Sequence, residues 1–399
     1  MLNMQIMKAI SRPRLLSLIA QRFRTNPIVM LLGPRQCGKT TLARQFVSST
    51  KGAHFFFDLE APADAQRLRQ PMSALESLKG LVVIDEAQLS PALFPVLRVL
   101  ADRRPSPAKF LLLGSAAPEL AGNVAESLAG RVALLPMAGF DLNEIPTKSM
   151  RALWLRGGFP RSFLASSDVA SRQWRDDFIQ TFLERDLRQL GVQVAPPTMR
   201  RFWMMAAHYH GQIWNASEIG RSLGDAHTTT KRHLDALCGA YVMRQLPPWF
   251  ENLGKRQIKS PKVFVRDSGL LHALLGIDSF FALEMHPKLG ASWEGFALDQ
   301  VLRITGDRAA YFWHTQGVAE LDLLLFIRGE RVGVEFKYAD APTMTKSLEI
   351  ARLDLKLDRV LIIYPGTMSY PLGNSCEAIA IGDLTARFMA LVSPRRRLA

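Results

Sequence analysis

Cysteine is nearly absent. The three present, Cys37, Cys238 and Cys376, are odd in number, far apart and without metal-ligand spacing. That excludes a disulfide framework and a cysteine metal centre, and it fits a reducing cytoplasm. Long apolar runs are also missing. None reaches the length of a membrane-spanning helix, and polar and basic residues break the N-terminus where a signal core would lie. No membrane partner is expected, and the cytoplasm is the expected compartment. Acidic residues are in deficit: 36 Asp and Glu stand against 50 Lys and Arg, a formal net charge of +14. That imbalance points to a polyanion, nucleic acid ahead of an anionic membrane surface. There is no internal repeat and no long low-complexity tract, and Ser393–Arg397 reads as a short solvated basic tail.

What is present supports large cores. Hydrophobic residues make up 48% of 399 positions, enough for about two to four domains. The most informative stretch is Gly33-Pro34-Arg35-Gln36-Cys37-Gly38-Lys39-Thr40-Thr41, which fits G-x-x-x-x-G-K-[ST] at every fixed position. The apolar run Ile28–Leu32 before it reads as a buried strand, and Thr41–Val47 after it has helical spacing. In that context the glycines let the backbone wrap a triphosphate, with N–H groups at the helix start aimed at it. Lys39 would reach the β and γ phosphates of ATP, and the Thr40 hydroxyl would hold Mg²⁺.

Leu81–Ile84 then runs into Asp85 and Glu86, two carboxylates at a strand tip. Asp85 would hold Mg²⁺, and Glu86 would polarise the attacking water. Lys109–Ser115 is a further strand. In additional-strand ATPases this strand lies between the phosphate-loop strand and the Asp-Glu strand, so Ser115 is a candidate sensor of the γ-phosphate. Arg131, just before another apolar strand, is a candidate arginine finger in cis or in trans; a plain surface arginine is the competing reading.

These stretches, with Asp85-Glu86-Ala87-Gln88, Gly114-Ser115 and Ser127–Arg131, resemble one group. It is the prokaryotic single-chain AAA-type ATPases that carry a C-terminal domain of uncharacterised function. Leu155–Pro160, Glu184–Asp186, Ser260–Lys262 and Asp267–Leu270 extend the resemblance over nearly the whole chain. Cys37 departs from the family, which usually has an aliphatic residue there, and puts a thiol beside the phosphates. Met137–Phe140 departs where the family tends to have a Pro-Leu pair. The resemblance implies a homo-oligomer, for instance a hexameric ring.

Residues 151–200 read as helices, with Trp174, Phe178, Phe182 and Leu183 on one apolar face. Gln212–Pro248 has the shape of a winged helix: Asn215 or Ser217 caps a helix, Gly224-Asp225 turns, and a second helix runs from about His227 to Cys238. That second helix is expected to expose Thr228, Thr229, Lys231, Arg232 and His233 to DNA. Lys255, Arg256, Lys259 and Lys262 would form a basic wing.

In the last part, Glu320–Ile327 and Arg331–Lys337 read as two strands. Asp322 with Glu335-x-Lys337 is the metal-nuclease constellation of the restriction-endonuclease-like fold. Asp322 and Glu335 would hold Mg²⁺, Lys337 would orient water, and Glu294 on the preceding helix would add a carboxylate. A three-residue turn over Arg328–Glu330 would set Asp322 against Phe336, on the wrong side. An even-residue loop or one bulge is required, and a slip near Gly329 is expected.

The expected fold is α/β. A RecA-like AAA ATPase core with a parallel sheet (residues 1–148) is followed by a helical segment (149–205), a winged-helix domain (206–285) and a PD-(D/E)xK nuclease-like α/β domain (286–399). The expected function is Mg²⁺-dependent ATP hydrolysis coupled to binding and remodelling of DNA, selected by structure, such as branched or repair intermediates. Two alternatives compete: an ATP-gated metal-dependent endonuclease, and a nucleotide-dependent binding switch indifferent to DNA.

Overall fold

The computed structural model describes residues 10–105, 108–115, 127–189, 191–251, 258–315 and 319–393. The first sheet holds five parallel strands: β1 (Ile28–Gly33), β2 (His54–Asp58), β3 (Gly80–Asp85), β4 (Ala108–Ser115) and β5 (Val132–Pro136). Their order is β2-β3-β4-β1-β5. A parallel sheet is covered on both faces, which is why β1 is a continuous apolar run with every residue buried. As expected, β4 lies between β1 and β3. Gly33, Asp85 and Ser115 therefore end neighbouring strands along one edge.

Two glycines shape the loop leaving β1. A side chain on Gly33 would overlap the Met137 carbonyl oxygen. Gly38, with φ +99°, turns the chain into the helix Lys39–Ser49 in a conformation that side chains disfavour.

Residues 147–208 are largely helical. The helix Asp168–Thr181 is capped by Ser167, whose hydroxyl accepts from Ala170 N at 3.1 Å. Phe159, Phe178 and Phe182 stack in a row, with centroids 4.7 and 6.0 Å apart. The helix then widens into a π-turn over Phe182–Asp186, a distortion that concentrates at functional sites.

The middle module follows. Asn215 caps the helix Ala216–Leu223, its side chain accepting from Glu218 N at 3.2 Å. A turn at Gly224 leads to the helix His227–Gly239. The strands β6 (Gln212–Ile213), β7 (Met243–Leu246) and β8 (Lys262–Val265) form an antiparallel sheet in the order β6-β8-β7.

The last module opens with the helix Leu289–Thr305, which carries Glu294. It packs on a mixed six-stranded sheet of β9 (Ala310–Thr315), β10 (Ala319–Ile327), β11 (Glu330–Phe336), β12 (Arg359–Tyr364), β13 (Tyr370–Gly373) and β14 (Cys376–Ala380). The order is β13-β14-β12-β11-β10-β9. The β10–β11 turn has two residues, Arg328 and Gly329, both with positive φ, as a tight hairpin requires. The even-residue loop is thus present. It is the form that the slip expected near Gly329 takes, and beyond it the ladder runs without a shift from Ile327–Glu330 to Leu323–Val334. The irregularity lies on the other side of β10, between Leu321 and Leu324 against β9.

The interior is shared between the modules. One apolar cluster runs from Val29 and Leu31 through Phe178 and Phe182 to Leu234 and Val263. A second joins Phe140, Trp154 and Phe264 to Trp293, Phe312 and Leu323. Among the described residues, no helix is long and apolar enough to cross a membrane.

Candidate functional site

The edge formed by Gly33, Asp85 and Ser115 carries the first cluster. Lys39 is buried, and its ammonium donates to the Gly33 and Pro34 carbonyls, both at 3.0 Å. Thr40 Oγ1 donates to Asp85 Oδ2 at 2.6 Å, and Asp85 Oδ1 accepts from Glu86 N at 3.0 Å. Burial pushes the Asp85 carboxyl up, while the Thr40 bond opposes the shift. Glu86 sits in left-handed backbone at φ +53°, which swings its side chain back across the strand ends. Its Oε2 accepts from Ser115 Oγ at 3.2 Å and from Gln88 Nε2. Ser115 therefore touches the carboxylate that would act on water.

Arg35 adds a link absent from the expected scheme. Its guanidinium pairs with Glu60, lies 3.4 Å from Asp186 Oδ1 and 4.0 Å from Glu86 Oε1. Asp186 belongs to the π-turn, so the helical segment contacts the phosphate loop through this arginine. A cavity of about 490 Å³ adjoins the loop, lined by Gly38, Lys39, Gln45, Phe140, Pro160 and Arg161 among others. Gln45 Nε2 donates to Ile10 O at 3.1 Å, while its buried Oε1 has no partner among the described residues. Gln45 and Arg161 were not singled out by sequence. Arg161 is too distant in sequence from the loop for any spacing rule to connect them.

Three expectations are corrected. Arg131 precedes β5, at the end of the sheet opposite the phosphate loop; its carbonyl accepts from Ile28 N at 3.2 Å, where β1 begins. Its guanidinium makes two bonds to Asp102, at 2.7 and 2.8 Å. It cannot contact a γ-phosphate in cis. The Cys37 thiol, expected beside the phosphates, is closed off from solvent, with Sγ 4.0 Å from Met137 O, though Cys37 is among the residues that line the cavity. His233 is buried against Phe202 at 5.3 Å between ring centroids and is not presented to solvent.

The family-like stretches Leu155–Pro160 and Asp267–Leu270 meet each other. Asp267 accepts from Gly158 N at 2.7 Å and Leu270 N at 2.9 Å. The fully buried Arg175 donates to Leu155 O at 3.2 Å and Gly269 O at 2.9 Å. These contacts hold Pro160 and Arg161 at the cavity mouth.

The second cluster lies in the last module. The two-residue turn sets Asp322 beside Glu335, and Glu294 and Lys337 join them, as expected. Lys337 Nζ is 2.7 Å from Glu335 Oε1, and Asp322 Oδ2 accepts from Phe336 N at 3.1 Å. The surprise is Lys262. It was expected on a solvent-exposed wing but is 2% exposed, its Nζ 3.2 Å from both Glu294 Oε1 and Asp322 Oδ1 and paired with Glu320. Burial and Asp322 push Glu294 up to about 8 and Glu335 up to about 7. Among the described residues, no group of three or more acids, histidines or cysteines is arranged to hold a metal ion. The carboxylates that would coordinate Mg²⁺ are turned to a lysine, so the cluster does not fit the expected metal.

On the helix His227–Gly239, Thr228, Lys231 and Arg232 are exposed on one face and Thr229 is half-buried. Lys259 is exposed; Lys255 and Arg256 lie outside the described residues.

A family model described as an AAA domain matches residues 25–146. Two models described as domains of unknown function, DUF8612 and DUF4143, match residues 147–280 and 289–384. The uncharacterized proteins Rv2008c of Mycobacterium tuberculosis and Mb2031c of Mycobacterium bovis are each 52% identical over 353 residues. Those residues are 88% of this chain and 80% of theirs. Among solved structures, the Walker-type ATPase PABY2304 of Pyrococcus abyssi aligns with TM-score 0.48 and 16% identity, over 67% of this chain and 96% of that one. The RuvB Holliday junction branch migration motor of Thermotoga maritima aligns with TM-score 0.29 and 21% identity, over 59% of this chain and 88% of that one.

Proposed function

We propose, for a chain that belongs to the family of these two mycobacterial proteins and carries an AAA domain at residues 25–146, Mg²⁺-dependent ATP hydrolysis coupled to DNA binding and remodelling. The observation that carries the hydrolysis is the convergence of Lys39, Thr40, Asp85 and Glu86 on one edge of the sheet, beside a cavity. Lys39 exchanges its two loop carbonyls for phosphate oxygens. The hydroxyl of Thr40 and the carboxylate of Asp85 are hard oxygen donors already within hydrogen-bond distance, a set that suits Mg²⁺. The ion, when bound, neutralises charge on the β and γ phosphates. Glu86 orients the attacking water and takes its proton, and Ser115 positions Glu86. Backbone N–H groups of residues 35–41 cradle the phosphates. Gln45 Oε1 is available to accept a hydrogen bond from the adenine amino group.

The DNA half rests on the middle module, read as a winged helix. Its second helix offers Thr228, Lys231 and Arg232 to phosphates and base edges, with Thr229 and Lys259 nearby, on a chain of net charge +14. A homo-oligomer belongs to the same reading. Arg131, turned from its own phosphate loop and held in an exposed pair, can serve a neighbouring subunit. The endonuclease alternative loses support from the place Lys262 takes among the acids.

The test is steady-state phosphate release with and without duplex, single-stranded and four-way-junction DNA. The expected result is stimulation by one DNA form, lost in Glu86→Gln. Turnover blind to every DNA would remove the DNA half and leave a nucleotide-dependent switch.

A further inference from the structure

The acids of the last module gather around a cation supplied by another part of the chain. Glu320 and Asp322 lie on β10 and Glu335 on β11, Asp322 and Glu335 each one residue beyond the Leu323–Val334 pair of the ladder. Glu294 comes from the helix Leu289–Thr305. Into this group reaches Lys262, the first residue of β8 in the middle module. Its ammonium lies over Phe312, with Nζ 5.7 Å from the ring centroid, and meets Glu294, Asp322 and Glu320. An ammonium has three protons and three directions of donation; here three carboxylates receive them.

We infer that the Lys262 ammonium is the resident cation of this cluster, so that the four acids join the middle and last modules and do not form a metal centre. Charge accounting supports the assignment. Burial pulls the Lys262 pKa down, but Glu294, Asp322 and Glu320 more than offset it and keep the group charged. Lys337 answers Glu335 at 2.7 Å. One carboxylate oxygen, Glu335 Oε2, remains buried without a hydrogen-bond partner among the described residues. Removing Lys262 would leave Glu294 and Asp322 buried without their counter-charge, a state that proteins relieve by taking up protons or another cation. The vacated position would be faced by Glu294, Glu320 and Asp322. Oxygen donors of that kind suit Mn²⁺ or Mg²⁺.

The experiment uses the full chain without nucleotide or DNA, so its outcome is independent of the ATPase and DNA readings. Bound Mn²⁺ is counted from loss of the free-ion electron paramagnetic resonance signal. Four proteins are compared: wild type, Asp322→Asn, Lys262→Ala, and the Lys262→Ala/Asp322→Asn double variant. Any Mn²⁺ at the phosphate loop is common to all four and cancels. The expected result is equal binding by wild type and Asp322→Asn, with one additional ion in Lys262→Ala that the double variant loses. Thermal unfolding of Lys262→Ala should move upward with Mn²⁺ by more than that of wild type or of the double variant. The inference is overturned if wild type holds an ion that Asp322→Asn removes, since the lysine would then yield to a metal. It is equally overturned if folded Lys262→Ala gains no ion. Should Lys262→Ala fail to fold, the wild-type and Asp322→Asn pair still decides between lysine and metal.

Discussion

Replacing Ser115 by alanine separates a positioning role from a phosphate-binding one. The Ser115 hydroxyl donates to Glu86 Oε2 at 3.2 Å and is not among the residues lining the cavity. Its deletion should loosen the carboxylate without touching the bound nucleotide. A hydrogen bond to a charged acceptor is worth about 1.5–3 kcal/mol, and about 1.4 kcal/mol of lost transition-state stabilisation is tenfold in rate. Gln88 still holds the same oxygen and Arg35 stands 4.0 Å from the other, so the lower end of that range applies. Ser115→Ala should therefore reduce kcat by about tenfold with KM nearly unchanged. Phosphate release measured against ATP concentration reads both constants. In a Glu86→Gln background the serine change should add almost nothing, because the two groups act as one unit. A raised KM with unaltered kcat would refute the positioning argument and make Ser115 a nucleotide ligand. Full additivity with Glu86→Gln would refute the linkage between them.

Lys39→Ala should abolish the upward shift in melting temperature that Mg·ATP produces in wild type; ligand at one hundred times its dissociation constant stabilises by about 2.7 kcal/mol. Exchanging Lys231 and Arg232 together for alanine should weaken duplex binding and flatten the salt dependence of log K by about two units, read by fluorescence anisotropy over a salt series. The buried imidazoles His210 and His272 are both pushed down to about 3, chiefly by burial. A lowered folded pKa means that stability is fully present above the unfolded value near 6.5 and declines below it. Each histidine should withdraw about 2 kcal/mol between pH 7 and pH 5. Denaturant titrations across that interval, on wild type and His272→Gln, measure the loss; a flat wild-type profile would contradict it.

The phosphate loop, the strand order around it and the tight hairpin were legible because each rests on local rules. Gly33 and Lys39 are set by a fixed spacing, and the need for an even-residue turn before Glu330 follows from counting residues between Asp322 and Glu335. What escaped depends on distances that no local rule contains. Arg131 lies near the expected strand, but direction along a parallel sheet decides which edge it occupies, and it precedes β5 where a ligand would need it to follow a strand. His233 carries a polar side chain at an inward position of its helix, and burial behind Phe202 overrides composition. Lys262 stands in a run of basic residues, Lys259 and Lys262 among them, yet only the first is exposed. Its side chain is drawn inward by acids whose proximity depends on the docking of two modules. Asp186 meets Arg35 because a π-turn shifts the helix register at Phe182–Asp186, a change that regular periodicity cannot foresee.

The apolar cluster that passes unbroken from Val29 to Phe178 to Leu234 has a consequence for ancestry and for dissection alike. Severing the chain after residue 148 or 205 would open a packed interior to water, and the liberated pieces would present Phe178, Phe182 and Trp203 as aggregating surfaces. Gene fusion and domain shuffling depend on pieces that keep their shape when moved. Here the first module and its two followers share one interior. Drift in one must be matched by drift in the others, and an exchange of the first for a foreign ATPase would bring in a stranger's half of the interior.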